Sequence, residues 1–193
     1  MDAKYAVITN DLQVAAATVD PQRQAAVDAF MPRQISFLEH MRRLGVPVIH
    51  MQLVVGEDDP RNEGTPDELR FTAGSAGVRV LPAVLGPGDR VVPKPKDSAF
   101  FDTPLHDILR ELGVNVVIIT GMQAQICVQT SAADAHFRGY AVLVPSDCVV
   151  STRADDVDRA LQWLAGYCAT VLTGEQIVRF VENGGRLVVK DAS

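Results

Sequence analysis

Short β-branched runs alternate along this chain with stretches whose apolar residues recur at helical spacing. The runs fall at Tyr5–Thr9, Val46–Met51, Val114–Thr120, Ala141–Val144 and Thr170–Thr173. After the first, Asp20-Pro21 reads as an N-cap with proline at the first helical position. Val27, Phe30, Met31, Ile35, Leu38 and Met41 then form one apolar stripe that stops at Gly45. Leu105, Ile108, Leu109 and Leu112 follow the i, i+3, i+4, i+7 pattern up to Gly113, and Val157, Ala160, Leu161 and Leu164 repeat it. The run Val114–Thr120 is nearly continuous rather than alternating, as a strand covered on both faces should be. Strands of this kind alternating with helices predict a parallel sheet in a doubly wound α/β fold. Residues 52–90, broken by proline and glycine, form the irregular part, and long loops of this sort tend to shape binding sites.

In such folds ligands sit beyond the carboxyl ends of the strands, where the strand order reverses. The residues just after each run therefore matter most: Asn10-Asp11-Leu12-Gln13, His50-Met51-Gln52, Gly121-Met122-Gln123 and Ser146-Asp147-Cys148, with Lys94 following Val91-Val92-Pro93. Composition narrows the reading mainly by exclusion. At 193 residues the chain is expected to form a single domain over 1–193. A formal charge of −6 argues against a nucleic-acid or anionic-membrane partner, which would require clustered Lys and Arg. No apolar run approaches the roughly 18–20 residues that span a bilayer. Met1-Asp2-Ala3-Lys4 leads directly into a strand with no signal-peptide core, so a cytoplasmic protein is expected. Cys127, Cys148 and Cys168 contain no CxxC and make a poor disulfide or zinc framework.

Asp11 follows a strand directly. A carboxylate there is either a partly desolvated general base or an ordinary turn aspartate. Cys127 falls near the start of a helix predicted through Ala132, Ala133 and Ala135 to Gly139. The helix dipole would favour its thiolate; the plainer reading is an inert buried cysteine, which suits Cys148 and Cys168 better. Lys94 could stabilise a thiolate and the negative charge of acyl transfer, whereas Lys96 reads as a solvated surface charge. His40, His50, His106 and His136 have no metal-ligand spacing, and neither a GxGxxG nor a GxxxxGK[ST] is present.

Taken together, Asn-Asp-Leu-Gln at 10–13, Lys-Pro-Lys-Asp-Ser-Ala-Phe at 94–100 with Thr103 and Leu105, and Gly121 to Tyr140 carry a family pattern. Within the last segment Cys127-Val128, Thr130, Asp134-Ala135 and Gly139-Tyr140 fit it, and Ser146-Asp147 extends it. Over roughly residues 4–175 the chain resembles the isochorismatase-like, nicotinamidase-related family of cysteine hydrolases. The resemblance implies a three-layer α/β/α hydrolase that cleaves amide, ureido or related C–N bonds of small molecules, as a homodimer or larger homo-oligomer. It further implies Cys127 as nucleophile, Asp11 as the base that later protonates the leaving amine, and Lys94 as the group holding that carboxylate. A cis peptide would lie at Met122–Gln123, with backbone N–H groups of Gln123 and Cys127 forming the oxyanion hole.

Three departures shape the expectation. Ala124 stands where the family usually has threonine, removing one supporting hydrogen bond. Ile49-His50-Met51-Gln52 replaces the Asp-x-His element of metal-dependent nicotinamidases, so no catalytic metal or other cofactor is expected. Cys127 favours amidase chemistry over isochorismatase-type vinyl-ether cleavage, which generally does without the cysteine. The competing readings are a vinyl-ether hydrolase with Cys127 as bystander, and a silent member that binds a ligand or serves in assembly. Substrate specificity is expected from Val14–Val19 and residues 52–77, with Gln13, Phe71, Phe100, Phe101 and Met122 as candidate substrate contacts.

Overall fold

The computed structural model describes residues 3–185; Met1 and Asp2, on which the N-terminal reading begins, and the tail from 186 lie outside the described residues. The sheet comprises β1 (Tyr5–Asn10), β2 (Val48–Leu53), β3 (Arg90–Lys94), β4 (Val116–Met122), β5 (Ala141–Pro145), β6 (Val149–Val150) and β7 (Thr170–Leu172). The helices are α1 (Val14–Thr18), α2 (Pro21–Arg43), α3 (Leu105–Glu111), α4 (Gln129–Phe137), α5 (Ala154–Tyr167) and α6 (Gly174–Glu182). Every ladder is parallel, in the order β3-β2-β1-β4-β5-β7, with β6 continuing along β4 beyond β5. The chain builds outward from β1 to β3, returns to β4 at the centre, and builds outward the other way. The switch point therefore lies between β1 and β4.

All six residues of β1 and all seven of β4 are buried. Side chains alternate across a strand, so Ala6, Ile8, Val117 and Ile119 join one apolar layer under α3, α4 and α5. Tyr5, Val7, Val116 and Ile118 join the other, under α1, α2 and α6. This double coverage accounts for the unbroken apolar text of the central strands. β2 and β4 each begin two residues later than their apolar runs and extend two residues further. That extension carries the ladder up to the site. β3 escapes a pattern reading because it contains Pro93, which lacks an N–H and is tolerated on an edge strand. Between β2 and β3 the chain is irregular apart from short 3₁₀ turns at Pro60–Asn62, Asp67–Leu69 and Pro82–Val84. Among the described residues, no helix is long and apolar enough to cross a membrane.

Candidate active site

The ends of β1, β3 and β4 converge at the switch point, and each delivers one polar side chain. Asp11 leaves β1 with φ +51, a left-handed conformation that aspartate tolerates better than most residues. Its side chain is almost fully buried. Lys94 closes β3, and its side chain has no exposure at all. Its Nζ donates to Asp11 Oδ2 at 3.1 Å, to the Lys96 carbonyl at 3.0 Å and to the Asp97 carbonyl at 3.0 Å. The ammonium's three donors are thereby all satisfied, as burial of a charge requires. Lys96 offers only its backbone; its side chain is exposed, as its solvated reading expected.

β4 enters the site through Gly121, and the following Met122–Gln123 peptide is cis. Gly121 has φ +106, and a Cβ there would stand 2.3 Å from the Asn10 carbonyl oxygen. Only glycine allows β4 and β1 to approach this closely ahead of Asp11. Ala124–Val128 then form a π-helical turn leading into α4, with Cys127 its fourth residue. Ala124 donates its N–H to Ser151 Oγ at 3.1 Å, and that hydroxyl donates to Gln125 Oε1 at 2.6 Å.

The segment 94–100 is fastened to α4 by small hydroxyl residues. Ser98 Oγ donates to Asp134 Oδ2 at 2.7 Å, and the Ala99 N–H donates to Ser131 Oγ at 2.9 Å. Ser131 in turn donates to Asn10 Oδ1 at 3.1 Å. One buried serine thus ties together the three loops bearing Asp11, Lys94 and Cys127. Sequence reasoning placed Asn10 only within the segment that follows the first run and did not name Ser131; neither titrates, and their contact spans the fold.

Asp11 and Cys127 line one pocket of about 250 Å³. Its apolar wall comes from Ala16, Val19, Leu53, Phe71, Met122 and Ile126, its polar wall from Arg23, Arg61, Asp97 and Gln123. Of the segments expected to set specificity, residues 14–19 supply Ala16 and Val19 to this wall and residues 52–77 supply Leu53, Arg61 and Phe71. Phe71 and Met122 reach the pocket, but the other three candidate contacts do not. Gln13 is fully buried and spent on backbone: its Nε2 donates to the Leu53 and Val78 carbonyls and its Oε1 accepts from the Leu53 N–H. It clamps β1 to the neighbouring loops. Phe100 is a core residue, stacked on Tyr140 with its ring centroid 6.0 Å away; Phe101 points to solvent, 55% exposed. Arg23 lies beyond the loops where contacts were sought, on α2, and only the fold brings it to the pocket.

The electrostatics correct one expectation. Burial raises Asp11 above the ordinary carboxylate value, with the Lys94 charge opposing. Burial also pushes the Cys127 thiol well above its ordinary range, and the Asp11 charge pushes it further. A helix start was expected to favour thiolate; burial beside Asp11 and Asp97 shifts the thiol the other way, with the Lys94 charge opposing. Cys127 Sγ lies 3.8 Å from Asp97 Oδ1, and Asp11 Oδ1 has no hydrogen-bond partner. Asp11 thus keeps one oxygen available to take a proton.

His50 has no part in this pocket. Its Nδ1 lies 2.8 Å from Thr9 Oγ1 and its Nε2 2.9 Å from Asp89 Oδ2, a carboxylate also held by Arg42. Among the described residues, no group of three His, Cys, Asp or Glu side chains is placed to hold a metal ion.

Fold and site together define an α/β/α protein that gathers a carboxylate, a lysine and a cysteine at the switch point of its sheet. The chain belongs to the isochorismatase family, whose Isochorismatase domain matches residues 5–176. The isochorismatase family protein YaaI of Bacillus subtilis is 31% identical over 161 residues, 78% of this chain and 83% of that protein. Streptothricin hydrolase of Streptomyces noursei is 34% identical over 110 residues, 57% of this chain but 40% of that protein. Among solved structures, N-carbamoylsarcosine amidase from Thermoplasma acidophilum superposes with a TM-score of 0.74 at 26% identity, covering 89% of this chain and 97% of that one.

Proposed function

We propose that this protein is a metal-independent cysteine hydrolase that cleaves a C–N bond of a small amide or ureido compound. The observation that carries the reading is the buried Asp11–Lys94 pair at 3.1 Å sharing a pocket with Cys127. The amidase named among the similar structures supports the same chemistry.

In this reading the Cys127 proton passes to Asp11 as sulfur attacks the carbonyl carbon, because a thiol held protonated is activated only by a base beside it. The tetrahedral oxyanion is met by the backbone N–H groups of Gln123 and Cys127. Asp11 hands its proton to the leaving nitrogen as the C–N bond breaks, leaving an acyl group on sulfur. Water then attacks that acyl carbon and gives its proton to Asp11; the acid departs and the proton returns to sulfur. Lys94 keeps Asp11 ionised between these transfers.

The test is ammonia release over a panel of amides and ureido acids, with Cys127→Ala as the blank. Wild type should turn over at least one compound, unaffected by EDTA, while Cys127→Ala is silent. Turnover abolished by chelation and restored by added metal would overturn the metal-independent reading; equal turnover in Cys127→Ala would overturn the nucleophile.

A pH profile checks the base. Asp11 must be ionised to act, so activity is lost as pH falls through its pKa. Because burial raises that pKa, the acid limb of kcat/KM should lie above the ordinary carboxylate value of 3.8. With the Cys127 thiol pushed up, no second limb should appear near neutrality. An acid limb below 3.8 would contradict the environment described for Asp11.

A further inference from the structure

The charges around the pocket do not all find partners. Asp11 is matched by Lys94 at 3.1 Å. Asp97 faces Arg61 at 3.5 Å, and Asp59 holds the same guanidinium at 2.8 Å. Arg23 differs: among the described residues its guanidinium forms no ion pair, although it is partly buried on the pocket wall. The neighbouring carboxylate, Asp20, is occupied in capping α2, accepting from the Arg23 backbone N–H at 2.8 Å.

The guanidinium is held in place by neutral oxygens. Nε donates to Thr152 Oγ1 at 2.6 Å and Nη1 to the Ala16 carbonyl at 3.4 Å. In the amide orientation that satisfies both groups, Gln123 Oε1 accepts from Arg23 at 2.6–3.0 Å. These are fewer acceptors than a guanidinium has N–H groups. Burial lowers its pKa, with the Asp20 charge opposing, yet arginine remains charged. A partly buried guanidinium held only by neutral oxygens, on a pocket wall where Asp97 faces Arg61 and Asp11 faces Lys94, is placed to receive the counter-charge of a ligand.

We infer that Arg23 recognises a carboxylate on the substrate, so that the compound cleaved is an amide or ureido acid bearing a free carboxylate a short apolar step from its C–N bond. This rests on the pocket being the active site. The planar fork of arginine suits a carboxylate, and the apolar wall formed by Ala16, Leu53 and Phe71 suits the intervening carbons. Gln123 links the recognition point to the reacting centre, because its side chain grips Arg23 while its backbone follows the cis peptide.

The experiment compares two nearly isosteric probes, the anion succinamate and the neutral diamide succinamide. Binding is read by ligand-detected NMR on the full-length Cys127→Ala protein, which keeps the probes intact. Succinamate should bind about tenfold more tightly or better, the worth of one charged hydrogen-bonded contact. Raising chloride should erode that preference without any further substitution. Adding Arg23→Gln should bring the two probes level, while Arg23→Lys should retain part of the preference. Equal binding of the two probes, binding of neither, or a preference surviving in Arg23→Gln would overturn the inference. Hydrolysis is scored separately on the wild type. Absence of ammonia release alongside a clear anion preference would sink the hydrolase reading but leave the anion site standing; turnover without anion preference would do the reverse.

Discussion

Asp11→Asn and Lys94→Met should each reduce turnover by about 10²–10⁴-fold, the usual worth of a positioned acid–base group. The asparagine keeps the shape of Asp11 but cannot accept the Cys127 proton. The methionine fills the space of Lys94 but leaves the carboxylate without its 3.1 Å partner, so Asp11 binds a proton and loses its function as base. Because the two act on one proton transfer, the double variant should be little worse than either alone. Stability should be coupled as well. Lys94→Met strands a buried carboxylate, which costs about 3–5 kcal/mol when one member of a buried pair is removed. Asp11→Asn in the same chain removes that charge and should recover part of the loss in urea unfolding. Lys96→Met is the control, since Lys96 serves the site only through its backbone carbonyl. If Lys96→Met abolished turnover while Lys94→Met retained it, the assignment of the lysine would be wrong.

Gly121→Ala should be among the most damaging single substitutions in the chain. The added carbon would meet the Asn10 carbonyl oxygen at 2.3 Å and the Asn10 nitrogen at 2.7 Å, both backbone atoms of the adjoining strand. Neither can swing aside as a side chain would. Adding overpacking to the strain of alanine at φ +106 gives about 2–5 kcal/mol. Gly139→Ala is the comparison: its φ of +84 is also positive, but nothing lies within 4 Å of the new carbon. That variant should lose only about 1 kcal/mol. The displaced atoms of Asn10 precede Asp11 directly, so folded Gly121→Ala should also be impaired in turnover. A Gly121→Ala midpoint matching that of Gly139→Ala would mean that β1 and β4 have more freedom to separate than the described register allows.

The reach of sequence reasoning follows the range of the forces involved. Helix stripes, the N-cap at Asp20 and the doubly covered strand at Val114–Thr120 depend on neighbours within a few residues, and the text displays them. The ends of β1, β3 and β4 are also local features, so Asp11, Lys94 and Cys127 could be picked out before anything was known of their mutual distance. Their meeting at one point follows from a strand order that periodicity leaves open. The same holds for the candidates that moved: Gln13 and Phe100 have side chains suited to ligand contact, but their partners lie 40 or more residues away at Leu53, Val78 and Tyr140. The thiol's ionisation turned on burial beside Asp11, a many-body quantity that helix position alone misjudged. Arg23 reads in the chain as one more polar residue on the first turn of a surface helix. Desolvation by α1 and the β4 turn, with no carboxylate in ion-pair contact with its guanidinium among the described residues, sets this charge apart on the pocket wall.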